Sequence, residues 1–168
     1  MDSEEDATGD VRRATDACLR LLAVRARSRH ELEAALERKG FAGPVREAAL
    51  GQVAAWGYLD DARFAQDRAA VLLQRGRFGP QAVQQRLQAH GLSREEARRA
   101  VAQASGSVEF DAEATARGVL EKRGLAGRPL APQERARAGR LLASRGFSEE
   151  LILKLLGDAA LEPSGPED

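Results

Sequence analysis

A chain of 168 residues with 43% hydrophobic and only 4% aromatic side chains can support one or two small domains, but it has too few large rings for one sizeable core. Its 26 Lys and Arg balance 26 Asp and Glu, yet residues 1–13 carry five acids (Asp2, Glu4, Glu5, Asp6, Asp10) against two bases. Residues 158–168 carry four more (Asp158, Glu162, Glu167, Asp168) against none, so residues 14–157 hold 24 bases against 17 acids.

The lone cysteine, Cys18, excludes an intramolecular disulfide framework and a Cys-based zinc cluster and suits a reducing cytoplasm. No apolar run approaches the roughly 18 residues of a membrane span or the apolar centre of a secretory signal, so a soluble cytoplasmic protein is expected. With only nine Val, one Ile and three Thr against many Ala, Leu, Arg and Glu, the chain is predicted to be all-α.

Taken in order, residues 1–13 read as a flexible acidic tail. A first helix near 12–26 carries the apolar stripe Ala14, Cys18, Leu21, Leu22. Ser28 with Glu31 forms a capping box that opens a second helix, 29–39, with Leu32, Ala35 and Leu36 on one face. Pro44 suits the first turn of a third helix, 44–56, bearing Val45, Ala49 and Val53. Gly57 ends it, and Asp60 and Asp61 sit where the fourth helix, 61–74, exposes its free amides.

Gly79-Pro80 starts a fifth helix over 80–90, and Ser93 with Glu96 starts a sixth over 94–104. A seventh spans 110–123, and Gly124, Gly127 and Pro129 make a longer loop before Ala131-Pro132 opens the eighth, 132–145, about a turn longer than its counterparts. Ser148 caps the ninth, 148–157, which carries Leu151, Ile152, Leu155 and Leu156, and a second flexible acidic tail fills 158–168.

One phrase recurs: Leu, three residues, Gly, apolar, at Leu36–Gly40–Phe41, Leu87–Gly91–Leu92 and Leu142–Gly146–Phe147. It is the chemistry of a helix end, with a last core contact, a glycine in the left-handed conformation and an apolar residue tucked back. The glycines divide the chain into three three-helix repeats, 14–58, 59–106 and 107–157. None of them buries enough alone, so tandem packing into an elongated, curved, solenoid-like body is expected.

Site chemistry is sparse. Asp60 and Asp61 are adjacent on a helix and lack a third ligand, so they read as caps and not as an acid/base or metal pair. His30 and His90 read as solvated surface, Cys18 as a buried inert thiol, and Gly124–Arg128 lacks the Lys-Ser/Thr ending of a phosphate loop. An enzyme reading has no residues to stand on, and no metal or cofactor is expected.

The remaining resource is arginine. Arg20, Arg25, Arg27 and Arg29 cluster between the first two helices, and Arg68, Arg75 and Arg77 cluster at the end of the fourth. Guanidinium groups suit phosphate and carboxylate, so both clusters are assigned to a binding face.

Gly57-Tyr58-Leu59-Asp60-Asp61 with Arg63-Phe64-Ala65, Ser28-Arg29-His30-Glu31-Leu32 with Leu36 and Gly40, and Gly79-Pro80 with Leu87 and Gly91 resemble the RecX regulatory proteins of bacteria. The third unit matches mainly through Arg145-Gly146-Phe147-Ser148 and Ile152. The chain departs at Gln81, Ala82 and His90, where that family usually carries more basic residues.

The resemblance implies three tandem three-helix repeats. It also implies a protein that binds the RecA recombinase, lodges in the groove of its filament on DNA and inhibits its ATPase and strand exchange in repair and recombination. DNA would be met non-specifically through the filament, with the acidic tails competing for the basic face. Two alternatives stand beside this reading: a stand-alone nucleic-acid-binding helical module, short of aromatics for stacking, and a helical scaffold for protein partners only. Without a heptad seam, a monomer is expected.

Overall fold

The structure, a computed structural model, describes residues 2–157. Among the described residues there are nine α-helices and no strands: α1 (Asp2–Val24), α2 (Arg29–Arg38), α3 (Gly43–Ala55), α4 (Asp61–Gln74), α5 (Pro80–Ala89), α6 (Arg94–Ser107), α7 (Ala112–Glu121), α8 (Pro132–Ser144) and α9 (Glu149–Leu156). They form the three expected tandem three-helix units.

The expectation of a flexible tail over 1–13 is corrected: α1 begins at Asp2 and runs unbroken through this segment. Acids concentrated in the first turns of a helix complement the positive end of its macrodipole, so the composition that reads as a solvated tail also favours a helix start. The second acidic tail, 158–168, lies outside the described residues.

Each helix end is written locally. Ser28 and Ser93 form capping boxes with Glu31 and Glu96, and Asp60, Asp111 and Ser148 each accept from a backbone amide three residues on. The recurring phrase closes α2, α5 and α8 with the same paired bonds. The amides of Phe41, Leu92 and Phe147 reach the carbonyls of Leu36, Leu87 and Leu142, and those of Gly40, Gly91 and Gly146 reach Glu37, Gln88 and Ala143.

The units have separate cores. Cys18, Leu32, Leu36, Leu50, Val53 and Leu59 anchor the first, Phe64, Leu72, Leu73, Val83, Leu87 and Val101 the second, and Leu120, Leu125, Leu142, Phe147 and Ile152 the third. In the first two units the first helix packs chiefly on the third, α1 on α3 and α4 on α6. In the last, α8 packs on both α7 and α9, while Lys154 Nζ of α9 reaches Glu113 of α7 at 2.6 Å. As expected, α8 is longer, 13 residues against 10 in α2 and α5.

Units join through their middle helices. Ser28, at the start of α2, donates its hydroxyl to the carbonyl of His90 at the end of α5, at 2.6 Å. One unit further, the amides of Gly79 and Gln81 at the start of α5 donate to the carbonyls of Arg145 and Gly146 at the end of α8, at 2.7 and 3.1 Å. Free donors of one helix thus meet free acceptors of the next, with opposite dipole ends in contact.

Closeness at these joints requires glycine. A Cβ on Gly91 would collide with His30, and one on Gly146 would collide with Ala82, whereas Gly40, at the open end, faces nothing within 4 Å. All three have positive φ, at 88°, 80° and 85°. Gly40→Ala should therefore cost only the left-handed backbone strain, about 1–2 kcal/mol. Gly91→Ala and Gly146→Ala add overpacking at a joint and should cost roughly 2–5 kcal/mol. Denaturant unfolding of the three variants checks this ranking, and equal losses would show that the joints are not built on these contacts.

Candidate functional site

The first joint is polar and half-buried. Glu31 sits at its centre: its carboxylate accepts from the Ser28 amide at 3.0 Å and from Arg25 at 2.9 Å, and it lies 3.2 Å from Nδ1 of His90. Burial pushes the Glu31 carboxyl up, but Arg25, the Ser28 amide and His90 together outweigh it and hold the pKa at about 2.

His90 is therefore not the solvated residue the sequence suggests. Its ring is half-buried and packs edge-on against Phe64, with centroids 5.6 Å apart. His30 is exposed at its tip, with its Cβ against Gly91. Cys18 is buried, and burial pushes its thiol up, away from reactivity.

The paired aspartates split their work. Asp60 accepts from the Arg63 amide and caps its own helix, α4, whereas Asp61 accepts from the Arg29 amide at 2.7 Å and caps α2. The expectation that both serve α4 is corrected: the link between units folds back so that its second carboxylate reaches the first unit. Leu59 completes the first core, Phe64 enters the second, and Tyr58 and Trp56 remain exposed. Arg63 is exposed and lies 3.8 Å from Asp67.

Three cavities run along the units and share their walls. Arg25, Phe64, Arg68, Val71 and His90 line the first, about 410 Å³, at the joint of units one and two. Arg68 and His90 continue into the second, about 400 Å³, with Arg75, Arg77, Phe78 and Arg86. Arg77 continues into the third, about 280 Å³, with Lys122, Arg123 and Arg145 across the joint to unit three. This cationic track holds one acid, Asp67.

Its bases are largely uncompensated. Among the described residues Arg68, Arg75, Arg77, Lys122 and Arg123 have side chains in no ion pair, while Phe78 carries the guanidinium of Arg86 at 3.7 Å and that of Arg145 at 5.6 Å from its ring centroid. A further cavity in unit three differs, because there Arg117 and Arg128 are neutralised by Glu113 and Glu134.

Of the arginines singled out from sequence, Arg25, Arg68, Arg75 and Arg77 come together on this track. Arg20, Arg27 and Arg29 line none of the three cavities. Arg27 donates to the carbonyl of Leu21, and Arg29 pairs with Glu47 at 2.7 Å. Arg86, Lys122, Arg123 and Arg145 were missed, because their approach depends on how the units join. The signal available was a base directly before a helix-closing glycine, as in Arg75-Gly76, Arg123-Gly124 and Arg145-Gly146.

Known proteins share this architecture and part of this sequence. Residues 14–52 match the first three-helix domain of RecX, and residues 60–101 match the second. Regulatory protein RecX of Stenotrophomonas maltophilia is 34% identical over 156 residues, covering 90% of this chain and 93% of its own. The chain belongs to the RecX family. Another RecX protein, from Halorhodospira halophila, is 35% identical over 154 residues, covering 89% of both chains. The crystal structure of RecX from Lactobacillus salivarius superposes with a TM-score of 0.74 at 15% identity, covering 92% of this chain and 99% of that one, and so shares the fold. These relatives are named regulatory proteins, and no helix among the described residues is long and apolar enough to cross a membrane.

The Glu31 cluster makes the first joint acid-sensitive. A carboxyl depressed from 4.5 to about 2 contributes stability that is full above pH 4.5 and is lost as the pH falls through about 2. Glu31→Gln should cost about 1–2 kcal/mol at neutral pH, a deficit that shrinks toward about pH 2. Guanidinium unfolding midpoints of both proteins at several pH values check this, and a pH-independent deficit would contradict it.

Proposed function

We propose that this RecX-family chain binds the RecA recombinase as a filament on DNA and restrains its ATPase and strand exchange, acting as a monomer in the cytoplasm. The observation that carries the reading is the cationic track, which crosses both joints from Arg25 through Arg68 and Arg77 to Arg145 with a single acid on its walls. An extended row of guanidinium groups suits the regular phosphates of a nucleoprotein filament better than it suits an isolated small ligand.

Three linked units also favour a repeating target, because each contact after the first is intramolecular and raises avidity. Sequence readout is not the design: among the described residues Trp56 and Tyr58 are the exposed aromatics, and neither lines the track.

A recombinase-filament ATPase assay tests the reading. Reversal of Arg68, Arg77 and Arg145 to Glu should weaken inhibition by about tenfold or more, since each lost phosphate contact removes about one unit of salt slope. Arg20→Glu, off the track, should leave inhibition unchanged. Full inhibition by the triple variant would reject the track as the contact.

A further inference from the structure

We propose that the cavity at the joint of units one and two is a docking site for an acidic peptide segment of a protein partner, taking one large aliphatic side chain of that segment between Phe64 and Val71. The cavity takes such a peptide whether or not the protein that presents it is a recombinase.

Three features select this occupant. The cavity is about 410 Å³, on the scale of one large side chain with its flanking backbone, and its floor is apolar, with Ala26, Phe64 and Val71. Val71 is 45% exposed on α4, whose other large apolar residues are buried, and so leaves an aliphatic surface open at the cavity. Around this floor cations outnumber the one carboxylate of the lining, Asp67: Arg68 forms no ion pair among the described residues, Arg25 stands on the wall already paired with Glu31, and Arg75 and Arg77 follow in the adjoining cavity. An apolar seat with Arg68 beside it and further unpaired guanidinium groups in the adjoining cavity complements an apolar residue flanked by carboxylates.

A nucleobase fits less well. Base binding without sequence readout relies on an open aromatic face. Here Phe64 is 8% exposed and already in T-shaped contact with the His90 ring, while the ring of Phe78 already carries Arg86 at 3.7 Å. The floor offers methyl groups and no free ring.

Fluorescence anisotropy tests the proposal with three labelled probes: a short peptide with one Leu among Asp and Glu, the same peptide with Ser for Leu, and a single-stranded oligodeoxynucleotide. The intact chain should bind the Leu peptide about tenfold more tightly than the Ser peptide, as expected for burial of a leucine side chain. Val71→Asn, at a half-exposed position that leaves the core intact, should abolish that preference without changing oligonucleotide affinity or the melting temperature. Arg68→Glu should weaken both peptides. Failure to bind the Leu peptide, equal affinity for the two peptides, or an undiminished preference in Val71→Asn would overturn the proposal. A parallel loss of oligonucleotide binding in Val71→Asn would give the cavity to a nucleobase and overturn it as well. None of these outcomes depends on the filament ATPase assay, so the two readings fail separately.

Discussion

The contact between the closed end of one middle helix and the open start of another is what the rest of this molecule depends on. It joins α5 to α2 through His90 and Ser28, and α8 to α5 through Arg145, Gly146, Gly79 and Gln81. Backbone groups that a helix end leaves unpaired become the adhesive between units, so little apolar surface has to be spent there. That explains how a chain with 4% aromatic residues holds three units with separate small cores. The cost is steric: such close approach leaves no room for a Cβ at Gly91 or Gly146.

The joints also make the site. Arg25 belongs to unit one and Arg68 to unit two, and they line one cavity because α2 and α5 meet end to end. Arg77 and Arg145 share another for the same reason at the second joint. The Glu31 cluster then acts locally. It binds Arg25, the Ser28 amide and His90 at once, so the side chains that hold the first joint also fix one wall of its cavity. Joint and cationic track are mechanically the same object, and a change of angle between units would respace the bases.

What was legible in the sequence was local. Helix ends are decided within about six residues, by a serine with a glutamate three later or by leucine, glycine and an apolar residue, so nearly every element from α2 to α9 falls where these signals put it. The start of α1 was not legible, because an acidic run serves a solvated tail and a helix N-terminus equally. Asp61 and His90 escaped for a different reason: their partners, Arg29 and Glu31, lie far away in the chain, and no period marks a pairing made only by tertiary packing. Half of the cationic track was hidden in the same way, since Arg145 meets Arg77 only once two units have docked.

A chain of zero formal charge can still present a cationic track because its acids are already in use. Asp60 and Asp111 cap helices, Asp61 caps a helix of another unit, and Glu31, Glu96 and Glu134 reach back to the backbone amides that precede their helices. Each carboxylate is thus drawn to a helix start, where amide donors and the positive dipole end stabilise it. Bases have the opposite preference and gather at helix ends, as Arg75, Lys122 and Arg145 do at the C-caps of α4, α7 and α8. Stacking units so that several helix ends converge on one side therefore concentrates there the excess of bases that residues 14–157 carry. The separation of charge is a consequence of helix polarity, and the repeat multiplies it.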